Sequence, residues 1–177
     1  MPELLWTPSE NRIERANVTQ FARKRGLPED YPALWQWSVE SLEEFWAAIW
    51  DEYVEADTPY ERVLGRREMP GAEWFPGARL NYAQHVFRNR DDGALAIQHA
   101  SESRELAEWT WGDLRRETAR IAAGLRELGV ERGDRVAAYM PNIPETVAAF
   151  LATASIGAVW SSAAPEFGAR SVIDRFA

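Results

Sequence analysis

Forty residues from Gly129 to Gly168 (GVERGDRVAAYMPNIPETVAAFLATASIGAVWSSAAPEFG) constrain the fold more than any other part of the chain. Arg135–Met140 is short and apolar, bounded by Gly133-Asp134 before it and Pro141-Asn142 after it, and reads as a strand. Asn142 is placed to cap a following helix, with Pro144 and Glu145 suited to its first turn. Val147, Phe150, Leu151, Ala154 and Ser155 share one face of that helix, which Gly157 ends. Ala158–Ala163 then reads as a second buried strand. A strand, a crossover helix and a strand predict a βαβ unit with parallel strands, right-handed by rule. Ligands in such sheets lie beyond the carboxyl ends of the strands, so Pro141–Pro144 and Ala163–Gly168 form the expected functional rim.

Upstream, the periodicity predicts a helix near Ile13–Arg25, stopped by Gly26-Leu27-Pro28, and another at Leu42–Glu55. Ser41 and Glu44 have the spacing of a capping box, and Leu42, Phe45, Trp46, Ile49, Trp50 and Tyr53 make an apolar stripe read as packing. Residues 56–93 are rich in turn signals around a short helix at Leu80–Arg88. Ala94–Gln98 and Leu106–Thr110 read as paired strands. Thr110 caps a helix at Trp111–Leu128, whose buried face is Leu114, Thr118, Ile121, Ala122, Leu125 and Leu128. A last amphipathic helix starts at Gly168 and is unfinished at Phe176, which makes residue 177 an expected truncation point; Met1 reads as a native start.

Charge and composition narrow the partners. The net charge is −8, and residues 1–60 carry twelve acidic against five basic side chains. That balance repels nucleic acid and anionic membrane, and no eighteen-residue apolar run or secretory leader is visible, so the expected address is the cytoplasm. With zero cysteines there is neither a thiolate nucleophile nor a Cys-based metal site. His85 and His99 have no metal-ligand spacing, and the chain contains no GxxxxGK[ST] loop, GxGxxG turn or GxSxG elbow. No catalytic or metal-binding residue is assigned.

The order of these segments also resembles the adenylate-forming acyl-CoA synthetases near the start of their AMP-binding domain. LGVERGDRVAAYMPNIPE followed by ATASIGAVWSS carries the likeness. LWTPSENRIERANVTQFARK, DYPALWQWSVESLEEFW, PGAEWFPGARLNYAQHV and APEFGARSVIDRF are similar to the acetoacetate–CoA ligase branch, from Leu5 to Phe176. The resemblance implies an α/β fold: a partial, mostly parallel sheet with flanking helices, preceded by a helical, loop-rich lead segment. It implies a lead region over residues 1–92 and the truncated start of an adenylation domain over residues 93–177. The implied chemistry is activation of acetoacetate by ATP with Mg²⁺, then transfer to CoA with release of AMP.

The family's phosphate loop, Mg²⁺-binding acid, ribose-binding aspartate and late lysine all follow the equivalent of Ala177, and the one lysine here is Lys24. The chain alone is therefore expected to be inactive and to need the remainder of its own sequence as partner. By resemblance, Ala164, Pro165 and Glu166 occupy a loop that lies against CoA in relatives, although acetyl-CoA synthetases carry a double glycine where Pro165-Glu166 stands. The Trp74-Phe75-Pro76-Gly77 signature is assigned to docking the lead segment. Two other readings stand beside this one: an acidic, tryptophan-rich interaction module without catalysis, and a ligase for another short acid such as acetate or propionate.

Overall fold

Ser9, Asp30, Asn81 and Thr110 each accept a hydrogen bond from the first turn of a helix and set where four of the helices begin. The computed structural model describes residues 5–177; Met1, read as a native start, lies outside the described residues. The chain divides into two units, and Glu55–Pro59 and Arg79–Ala177 form the second.

The first unit holds α1 (Glu10–Glu14), α2 (Asn17–Lys24), α3 (Tyr31–Glu40), α4 (Leu42–Tyr53), β1 (Leu64–Arg66) and β2 (Glu73–Trp74). The single helix expected over Ile13–Arg25 is two. Ala16 is extended (φ −66°, ψ 135°), and the Gln20 side chain donates to the Glu14 carbonyl at 2.5 Å, satisfying an acceptor freed by the break. Gly26, at φ 65°, closes α2: its N–H donates to the Arg23 carbonyl while that of Leu27 donates to Ala22.

α3 was not foreseen. Asp30 caps it through the Ala33 N–H at 2.9 Å, and Pro32 falls in its first turn, where a missing N–H costs nothing. The capping box expected at Ser41 is absent. Ser41 ends α3 as well as starting α4, and at φ −109°, ψ 57° it is outside the extended conformation of a capping residue. The Glu44 carboxylate accepts from Trp37 Nε1 instead, at 3.5 Å.

The α4 stripe does pack. Trp37 meets Phe45 edge-on at 5.3 Å, Trp46 lies 5.6 Å from Trp74, and Trp50 lies 4.3 Å from Phe75 and 5.3 Å from Tyr60. Such ring pairs add about 0.5–1.5 kcal/mol each beyond the area they bury.

The second unit runs α5 (Tyr82–Phe87), β3 (Leu95–Ser101), β4 (Arg104–Thr110), α6 (Trp111–Glu127), β5 (Arg135–Tyr139), α7 (Pro144–Ile156), β6 (Val159–Ala163) and α8 (Ala169–Phe176). β3 and β4 form an antiparallel hairpin. It reaches further into the polar stretch than hydropathy implies, because most of its residues are exposed and polar side chains are no obstacle to pairing there.

A reciprocal capping box starts α6. Asp113 N donates to Thr110 Oγ1 at 3.1 Å, and Thr110 N donates to the Asp113 carboxylate at 2.9 Å. The Thr110 side chain and then its N–H, with Arg116 adding to them, hold the Asp113 carboxyl below its ordinary range. Thr110→Ala is expected to cost about 1 kcal/mol, read as a lower midpoint in urea unfolding, while Thr110→Ser stays near wild type. Leu128, expected on the buried face, sits one residue past α6 and is 83% exposed.

α5, α6 and α7 meet around Ala83, Leu114, Ala148 and Leu151, the buried centre of this unit. β5 and β6 pair in parallel and in register, from Arg135 with Val159 to Tyr139 with Ala163. The α/β class is as expected, but among the described residues parallel pairing is confined to these two strands, and the other two pairs are antiparallel. The cap of α7 is Ile143, not Asn142. A residue before proline is pushed out of the helical region, so Pro144 holds Ile143 extended (φ −127°, ψ 161°) and leaves Asn142 outside the helix. Gly157 ends α7 at φ 82°, and a Cβ there would lie 3.1 Å from Arg132 Cγ. The β6 strand is more open than its sequence implies: Ser161 and Ser162 are exposed, and Val159 is 54% exposed. Among the described residues no helix is long and apolar enough to cross a membrane.

Candidate functional site at the strand ends

In-register pairing brings the ends of β5 and β6 level, with Tyr139 beside Ala163. Met140 N donates to the Ala163 carbonyl at 3.2 Å and extends the ladder by one bond. After β5, the Pro141 carbonyl accepts from Thr146 Oγ1 at 2.7 Å and from Ile143 N at 3.0 Å, so this side of the rim is tied to the start of α7.

After β6 the chain makes a turn. Phe167 N donates to the Ala164 carbonyl at 3.0 Å, closing a four-residue turn over Ala164-Pro165-Glu166-Phe167. Pro165 sits at its second position, where the fixed φ of proline is favourable. Ala163 is buried, Ala164 half-buried, and Pro165, Glu166 and Phe167 are exposed. The three residues singled out from the sequence, Ala164, Pro165 and Glu166, therefore share one exposed turn at the rim. The Arg175 guanidinium lies 5.5 Å from the Phe167 ring centroid.

Sequence reasoning passed over Tyr139. Its hydroxyl lies 2.7 Å from both the Pro165 and the Phe167 carbonyl oxygens, as donor to the pair. The available signal was the parallel pairing itself, which sets the last residue of β5 next to the last of β6.

One charge near the rim is paired. Glu145, in the first turn of α7, accepts from Arg104 at 3.0 and 3.1 Å. Burial pushes the Glu145 carboxyl up, but the Arg104 bonds, its own N–H and the Arg104 and His99 charges outweigh that and leave it below its ordinary range. Elsewhere, His85 Nε2 lies 2.6 Å from the Glu55 carbonyl, and His99 meets the Trp109 ring at 6.5 Å. Among the described residues no group of three His, Cys, Asp or Glu side chains is placed to hold a metal ion. The turn offers a surface for a ligand to lie against.

A family model described as AMP-binding enzyme matches residues 83–176, and one described as the acetyl-coenzyme A synthetase N-terminus matches residues 31–86. The acetoacetyl-CoA synthetase of Xenopus tropicalis is 39% identical over 98% of this chain. That of Rhizobium meliloti is 39% identical over 97%. In both comparisons the chain spans 27% of the relative's length. The solved acetoacetyl-CoA synthetase from Streptomyces lividans matches 99% of the chain with a TM-score of 0.89 at 50% identity, and 28% of that protein is covered. The Brucella canis acyl-CoA synthetase matches 55% with a TM-score of 0.52 at 32% identity. The motif run from Leu5 to Phe176 thus has acetoacetyl-CoA synthetases as its homologues, and the chain belongs to the AMP-binding enzyme family.

Proposed function

We propose that this chain is the N-terminal part of an acetoacetate–CoA ligase, with residues 1–92 as its lead region and residues 93–177 opening the adenylation domain. The observation that carries the reading is likeness along 97–99% of the chain to acetoacetyl-CoA synthetases, in both sequence and backbone. In the proposed reaction, acetoacetate is activated with ATP as an acyl-adenylate with loss of pyrophosphate, and the acyl group passes to CoA with release of AMP. The proposed location is the cytoplasm.

The described residues differ in how they suit these groups. The turn at Ala164–Phe167 presents the exposed Pro165 and Phe167 side chains and fits the neutral pantetheine arm of CoA. When bound, CoA supplies the thiol that accepts the acyl group. The Glu166 carboxylate on the same turn disfavours a phosphate there. No donor set among the described residues suits Mg²⁺. The contribution proposed for this chain is accordingly binding and orientation at Ala164, Pro165 and Glu166. Phosphate and metal chemistry belongs to the remainder of the enzyme, and the chain alone is inactive.

The test begins by reading the coding sequence past codon 177 and assaying its product for ATP–pyrophosphate exchange. Exchange driven by acetoacetate well above acetate or propionate is the expected result, with none above background from the 177-residue chain alone. A stop codon directly after Ala177, or exchange driven best by acetate, would overturn the assignment.

A further inference from the structure

We propose that Tyr139 is a positioning residue for thioester formation, its hydroxyl holding the Ala164–Phe167 turn in the shape against which the pantetheine arm of CoA lies. The proposal rests on the reading of that turn as CoA-facing. The geometry that carries it is the pair of 2.7 Å contacts from Tyr139 Oη to the carbonyls of Pro165 and Phe167, 26 and 28 residues further along the chain.

A phenol has one proton to give, so the two carbonyls share it. These carbonyls belong to the Pro165–Glu166 and Phe167–Gly168 peptide groups, so the hydroxyl fixes one peptide inside the turn and the one by which the chain leaves it. Without the hydroxyl, the turn keeps one internal hydrogen bond, from Phe167 N to Ala164 O, and the contact of Arg175 with the Phe167 ring. Pro165, Glu166 and Phe167 are all exposed, so little packing would replace the lost restraint.

Tyr139 is itself 51% exposed. It is not filling a core, and phenylalanine would cover the same surface. What tyrosine adds at this position is the oxygen. Its place at the end of β5, paired with Ala163, puts that oxygen over the turn with no flexible segment between. A ligand arm meeting a preformed turn avoids the entropy of ordering it on binding.

Tyr139→Phe in the full-length enzyme removes the oxygen alone, and two measurements read the effect. Deuterium uptake at residues 164–168 of the ligand-free protein is expected to rise several-fold. The KM for CoA is expected to rise about five-fold, the order of one lost hydrogen bond. Acetoacetate-dependent ATP–pyrophosphate exchange, which precedes CoA, should stay within about two-fold. Unchanged uptake would overturn the clamp itself. Raised uptake with an unchanged KM for CoA would overturn the positioning role by showing that the turn does not face CoA, a failure of the underlying reading. A matched loss in exchange and CoA transfer would overturn it in favour of a general structural role.

Discussion

Leu151→Ala is expected to destabilise the second unit by about 4 kcal/mol, toward the upper end of the range for leucine-to-alanine changes in cores. Leu151 is 2% exposed and packs with Ala83, Leu114 and Ala148 where α5, α6 and α7 meet. Two of those three neighbours are alanines on helix backbones. The two alanines have no rotamers with which to move into the vacated space, so any collapse rests on the half-buried side chains around this centre, among them Val86, Ile121 and Phe150, and relieves only part of the cost. A loss of that size is a large share of the 5–15 kcal/mol that holds a typical domain together. In urea the unfolding midpoint should fall by about 2 M at a slope near 2 kcal/mol/M. Leu151→Met, which nearly conserves volume, should lose less than about 1.5 kcal/mol. A loss below about 1 kcal/mol for the alanine variant would mean that the three helices can close on the gap.

Trp50→Ala should have the second-largest effect, about 3 kcal/mol on the first unit. Two terms add. Trp50 contacts the rings of Tyr60 and Phe75, the latter at 4.3 Å between centroids. Phe75 is also held at φ 48°, a left-handed conformation rare for a bulky residue. Such a backbone persists where surrounding contacts over-determine it, and Trp50 provides one of them. Near-UV circular dichroism should show the loss of an ordered aromatic environment with far-UV signal mostly kept at low denaturant. Trp50→Phe should recover part of the stability. If near-UV ellipticity is unchanged in the alanine variant, the ring cluster is not what orders Phe75.

The parts of the fold that were legible from sequence share a physical property: their signals are local. Thr110 and Asp113 are three residues apart, Gly157 ends its own helix, and the β5–α7–β6 unit is written in forty consecutive residues. The misreadings came from signals that compete. Asn142 is a good cap by type, but Pro144 forces its neighbour Ile143 into the capping conformation. Ser41 and Glu44 have capping-box spacing, but α3 already claims Ser41 as its end. α3 itself was passed over because its aromatic residues and Pro32 weaken helical periodicity, although Asp30 marks its start. Ser161 and Ser162 lie in an apolar run and read as buried, yet β6 pairs on one edge only among the described residues and both serines are exposed. The strand-end rule marked Ala163–Gly168 as rim, but the choice of Ala164, Pro165 and Glu166 within it came from family likeness, because a proline-containing turn has no chemical signature of its own. Tyr139 was harder to find for a different reason: its two partners are distant in sequence, and only the strand register makes them neighbours.

Asn81 gives the second unit a schedule. Its Oδ1 accepts from the N–H groups of Ala83 and Gln84 at the start of α5, while its Nδ2 donates to the carbonyls of Ala154 and Ser155 at the end of α7. One side chain thus closes the beginning of one helix and the end of another. The two ends are 73 and 74 residues apart. At a translation rate of about 5–20 residues per second, the ribosome needs roughly 4–15 s to supply the second after the first. Throughout that interval α5, six residues long, has its cap but not its anchor, and a helix so short does not persist in water unaided. A later segment of the unit therefore stabilises an earlier one, and α5 is expected to become protected only after the end of α7 has been made.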